Sequence, residues 1–274
     1  MQKTKRLLWP VLLCVMVNEA FALPLSPKAV PPPDTKINIT TATVQKGRFE
    51  QECSDIFTPK QTNCVCVANI TRPVISGLSD ENAQRDLNNQ FFTFAHDGSL
   101  CEGAPKKGHS PLKLSTGINQ SKTQANYRID INNAHFLVIS QTADAFFVGA
   151  AHGMHSEESY IINTQTGQRL SPQAIFGEHL DEVNAHIYHY LKNNKSLVLF
   201  DEIVEEQKNR FLTAQMCNGC SLFVTPAGIK ATFGEYSIGP YGAGQIDVLI
   251  PPKFVVFKPL REWLMTHSKP LAKT

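Results

Sequence analysis

Along residues 178–192 the apolar side chains of Leu180, Val183, Ile187 and Leu191 recur every three or four positions between polar neighbours. That period lays one apolar stripe along a helix, so the spacing predicts a helix over 178–192. A more acidic pattern predicts a second helix over 199–210, and a third over 260–266. Upstream, Ser79 or Asp80 is placed to cap a helix reaching about Phe94, with Ala83, Leu87, Gln90 and Phe91 at helical spacing.

The rest of the chain reads as strands. β-Branched runs occupy 37–44 and 64–67, and an extended stretch over 70–78 is broken by Pro73 and Gly77. Residues 126–131 and 134–142 pattern as a hairpin around Asn132 and Asn133. Further strands are expected at 145–149 and 158–163, with a turn over 164–167. Three more are expected at 222–224, 228–236 and 245–250. Together these predict an α+β fold of antiparallel strands with helices packed on one side, as one large domain or two smaller ones. Residues 98–110 read as a loop, and the proline-rich segment 23–35 as a linker.

One loop stands out from this pattern. Gly239, Pro240, Tyr241, Gly242 and Gly244 separate β-prone runs at 233–238 and 245–250. Glycine and proline together hold such a loop in one shape, which leaves Tyr241 at its tip as an aromatic anchor for a partner. The competing reading is a tight hairpin whose tyrosine folds back onto the sheet.

Composition adds a compartment. Lys3, Lys5 and Arg6 precede an apolar run over 7–17, and Ala20-Phe21-Ala22 supplies a cleavage signal, so residues 1–22 read as a secretory leader. The run is shorter than the roughly 18 apolar residues a membrane span needs. No membrane span is expected in the mature chain. Cleavage removes three of the 26 basic and one of the 24 acidic residues, leaving 23 of each. A neutral mature chain gives no electrostatic footprint for nucleic acid. Six cysteines remain beyond the leader: Cys53, Cys64, Cys66, Cys101, Cys217 and Cys220. An even number in an exported chain favours disulfides. Cys64 and Cys66 share one side of a strand and are poorly placed to bridge each other, so Cys53 and Cys101 are their expected partners.

Candidate chemistry is sparse. His152 and His155, or His186 and His189, are the pairs from which a metal-dependent hydrolase would be built, but neither pair brings a third ligand or an H-E-x-x-H motif. Cys217-Asn-Gly-Cys220 would serve a thiol oxidoreductase, yet it follows a helix and precedes a strand, and Asn-Gly is turn chemistry. A structural staple is the expectation there. No catalytic residue, cofactor or metal site is assigned.

Two stretches carry a family resemblance. The first is Phe146-Phe-Val-Gly-Ala-Ala-His-Gly153, followed by residues 159–170 and by Ile175-Phe176. The second is residues 223–230 leading into Phe233-Gly-Glu-Tyr-Ser-Ile-Gly-Pro-Tyr-Gly-Ala-Gly244. Their order and spacing resemble the extracellular domain of RsiV, the anti-sigma factor that senses lysozyme. Residues 69–78 and Leu87-Asn88-Asn89 are similar to the companion module that also precedes the catalytic domain of the deacetylase PdaC. The resemblance implies two closely associated modules, 36–125 and 126–266, with a tail at 267–274. It also implies that Tyr236, Pro240 and Tyr241 contact a lysozyme-type glycosidase or peptidoglycan. No anti-sigma segment and no deacetylase domain are expected here, so neither signalling by proteolysis nor deacetylation carries over. The expectation is an exported envelope binding module, with a purely structural envelope protein as the remaining alternative.

Overall fold

The computed structural model describes residues 36–53, 62–97, 120–146 and 150–267. The expected leader, linker and 98–110 loop, and all of the tail beyond His267, lie outside the described residues.

β1 (Asn38–Cys53) and β2 (Thr62–Ser76) form a long antiparallel pair. α1 (Glu81–Asp97) follows. Asp80 starts it, its Oδ1 accepting from the backbone N–H groups of Asn82 at 2.9 Å and Ala83 at 3.1 Å. This satisfies donors that a helix start leaves without partners. With α1 in the connection, β3 (Gln120–Asn132) lies parallel to β2, an exception to the otherwise antiparallel pairing. β3 also runs across position 125, the expected boundary between two modules. β4 (Phe136–Phe146) and β5 (Met154–Asn163) complete a sheet of order β1-β2-β3-β4-β5. Asn133 closes the β3–β4 turn, its Oδ1 accepting from the N–H groups of His135 and Phe136, each at 2.9 Å. The strand expected at 145–149 is not separate in its described part: Ala145 and Phe146 end β4, opposite Met154 and Lys122.

The second half opens with α2 (Pro172–Phe176), α3 (Leu180–Asn193) and α4 (Asp201–Gln207). α4 is shorter than its expected span at both ends; Phe200, extended at ψ 90°, is its N-cap, and its otherwise unpartnered N–H donates to the carbonyl of Ile238 at 2.8 Å. β6 (Cys220–Thr225), β7 (Gly228–Phe233) and β8 (Ile246–Ile250) then form an antiparallel three-stranded sheet, and α5 (Lys258–His267) ends the described chain. The α+β class read from the sequence stands.

β4 explains how the halves join. Alternate side chains leave a strand on opposite faces. Phe136 and Val138 enter a core shared with Ile161, the second sheet (Ile229, Phe233, Val248) and α3 (Val183, Ile187). Leu137 and Ile139 enter another with Tyr160, Ile162 and the α1 residues Leu87 and Phe91. Both faces are covered, so 136–139 is an unbroken apolar run rather than an alternating one. Gln90 does not share the buried α1 face with Leu87 and Phe91; it is exposed.

Cys217 and Cys220 form a disulfide with Cα atoms 5.2 Å apart. Cys66 is disulfide-bonded and fully buried. Cys101 and the side chains of Cys53 and Cys64 lie outside the described residues.

Candidate binding site

The strand expected over 233–238 stops at Phe233, and β8 begins only at Ile246. Tyr236 accounts for the break. Its φ of 62° makes it the one non-glycine residue of positive φ among the described residues. A left-handed residue cannot continue a strand, and for an L-residue it costs roughly 1–2 kcal/mol. Two residues on, Ile238 is fully buried. Gly239 follows with no room for a side chain: an added Cβ would lie 2.6 Å from the Val198 carbonyl oxygen. Pro240 then leads into a 3-10 turn over Tyr241–Ala243.

Tyr241 is therefore not the exposed tip that the sequence suggests. It is half-buried, and its ring stacks on His152 with centroids 3.6 Å apart and planes 18° apart. The exposed ring is Tyr236, 56% accessible. Its hydroxyl lies 3.1 Å from His152 Nε2, while His152 Nδ1 lies 2.9 Å from the Gly153 carbonyl oxygen. A carbonyl only accepts, so Nδ1 carries the proton, and in the neutral ring Nε2 accepts from the tyrosine hydroxyl. Tyr236 and Tyr241 are 5.9 Å apart, centroid to centroid. One histidine thus ties two tyrosines, with Pro240 half-buried between them in the chain.

Beside Tyr241 lies a groove of about 300 Å³, lined by the ends of β3, β4 and β5 and by Glu235. Phe146 and Met154, both exposed, supply apolar surface. Lys122, Asp144 and Glu235 supply charge, and His155 Nδ1 sits 2.7 Å from Asp144 Oδ1. The disulfide turn abuts the loop: Gly219, at φ 66°, leaves only 3.2 Å between an added Cβ and the Ser237 Cβ.

The metal readings do not gather into a site. His152 turns to the tyrosines, His155 to Asp144, and His186 donates through Nε2 to the Leu249 carbonyl at 2.9 Å. Among the described residues no three histidine, cysteine or acidic groups are placed to hold a metal ion. Sequence reasoning noticed His152 only as a ligand candidate and missed Lys122, Asp144, Phe146, Met154 and Glu235. Asp144 meets His155 through the β4–β5 register, which pairs those two positions directly. That register was the signal available, and it requires the hairpin to be aligned first.

Neither a family model nor a curated protein matches the chain. Among solved structures it is similar to a member of the DUF3298 family from Bacteroides fragilis, with a TM-score of 0.51 at 13% identity, over 84% of this chain and 98% of that one. A DUF3298 family protein from Pseudomonas aeruginosa is similar at 14% identity and TM-score 0.46, with the same 84% and 98% coverage. At such identity the likeness to the first speaks for the fold alone.

Proposed function

We propose that this chain is an exported envelope binding module that takes a lysozyme-type glycosidase as partner through the loop carrying Tyr236, Pro240 and Tyr241. The observation that carries the reading is the ring cluster. A strained, exposed tyrosine and a stacked one are held rigid by His152 at the rim of a groove. Rigid aromatic anchors lose little side-chain entropy on binding and dominate interface energies. Val198 and Phe200, both exposed, flank the same loop through their backbone contacts with Gly239 and Ile238. Exposed apolar side chains gathered on one face mark interaction surfaces. The resemblance to the RsiV ectodomain supports the same stretch as the contact. The formed disulfide supports an oxidising compartment. No helix among the described residues is long and apolar enough to cross a membrane.

The groove beside Tyr241 favours a second reading, a peptidoglycan glycan strand. Its Asp144 and Glu235 carboxylates accept hydroxyl hydrogen bonds next to an aromatic face. The two readings separate in one experiment. Purified mature chain should inhibit a lysozyme on a soluble chromogenic substrate, and Tyr241→Ala should weaken inhibition at least about tenfold, as for an interface anchor. Sedimentation with insoluble peptidoglycan, without inhibition, supports the second reading. Absence of both overturns the proposal.

A further inference from the structure

A second, larger cleft of about 460 Å³ opens where the edge strands β5 and β6 of the two sheets approach, and it shares no lining residue with the groove beside Tyr241. Its volume is typical of small-molecule sites, about 300–1,000 Å³. Ser159 lines it from β5. The residue is only 3% exposed, and its Oγ has no hydrogen-bond partner among the described residues. A buried hydroxyl left unpaired costs about 1–3 kcal/mol, so its retention calls for a reason.

The neighbouring groups supply one. Arg169 Nη1 donates to Glu158 Oε1 at 2.8 Å and Nη2 to the Ser159 carbonyl at 3.0 Å, with the guanidinium 4.4 Å above the Tyr160 ring. The Tyr160 hydroxyl donates to Glu158 Oε2 at 2.7 Å. The ion pair is thus held from several sides, and among the described residues it contains the only charged groups lining the cleft. A ligand carrying net charge would break that pair or stay unmatched. A neutral ligand leaves it intact and uses its remaining donors and lone pairs. Leu170 and Leu222 add apolar surface.

We propose that this cleft binds a small neutral polyhydroxylated ligand, a mono- or disaccharide. Ser159 Oγ exchanges hydrogen bonds with one hydroxyl, and Glu158 and Arg169 accept from and donate to a neighbouring diol. The aliphatic wall covers the C–H face of the ring. The site is independent of the tyrosine loop and of the partner assigned to it.

The test is a chemical-shift titration of the mature chain with maltose, cellobiose and N,N′-diacetylchitobiose, with glutamate as the charged control. At least one disaccharide should give saturable shifts centred on β5, on residues 169–172 and on β6. Ser159→Ala should weaken that binding at least tenfold while the thermal midpoint stays level or rises, because the unpaired hydroxyl is gone. Tyr241→Ala should leave it unchanged. Three results overturn the proposal: no disaccharide saturates, glutamate binds more tightly, or Ser159→Ala lowers the midpoint and keeps the affinity.

Discussion

Residues 136–139 of β4 and residues 234–244 between β7 and β8 resolve the same physical problem in opposite ways. On β4 every side chain from Phe136 to Ile139 is buried, each face against its own core, in unstrained extended backbone. In the loop a tyrosine adopts the left-handed conformation and remains more than half exposed, while its neighbour stacks on a histidine. Apolar burial makes the first region the source of stability. The second holds strain and leaves aromatic surface in water, and strain of that kind concentrates at functional sites. The molecule is thus built to persist at β4 and to meet something at the loop.

The comparison can be broken most forcefully at Phe136, which is fully buried and meets Trp263 edge to face at 6.4 Å. Phe136→Ala should destabilise by about 3–5 kcal/mol. A urea titration with unchanged slope reads this, and the fraction still folded should bind its partner normally. A smaller loss is expected for Gly239→Ala, because the added methyl meets the Val198 carbonyl rather than a movable side chain. Overpacking of that kind costs about 1–3 kcal/mol, and here it should also weaken partner binding by displacing the loop.

Tyr236→Gly sharpens the contrast with almost no effect on stability. Relief of left-handed strain, roughly 1–2 kcal/mol, offsets the lost hydrogen bond to His152, about 0.5–1.5 kcal/mol. The thermal midpoint should barely move while lysozyme binding falls. If stability drops as it does for Phe136→Ala, the loop belongs to the core and the contrast fails.

A separate effect is expected only on the alkaline side. Burial first, then the charge and hydrogen bond of Glu158, push the Tyr160 phenol above its ordinary value of 10.0. A folded-state value above the unfolded one means that this contribution is complete below pH 10 and is lost as pH rises further. Stability should therefore decline more steeply above pH 10 in the wild type than in Tyr160→Phe, measured by urea midpoints at stepped pH.

Much of the scaffold around β4 was legible in the sequence. The helical period at Leu180, Val183, Ile187 and Leu191, the Asp80 cap and the Asn132-Asn133 turn are local signals, and each formed near its expected place. The loop was only half legible. Its glycines and Pro240 marked an unusual conformation, but the left-handed Tyr236 sits in a run that otherwise reads as strand. The stacking of Tyr241 on His152 joins residues 89 positions apart. Nothing local encodes that contact, so the tyrosine assigned to the tip is the half-buried one. The β5–β6 cleft was invisible for the same reason, since the two sheets meet only once both are formed.

The proposed function requires the β7–β8 loop to face the partner. Hydrogen exchange of the mature chain, with and without saturating lysozyme, tests it most directly. New protection is expected at residues 234–244 and 152–155, with β4 amides exchanging as slowly as before. Protection confined to other surfaces, or no lysozyme-dependent change anywhere, would contradict it.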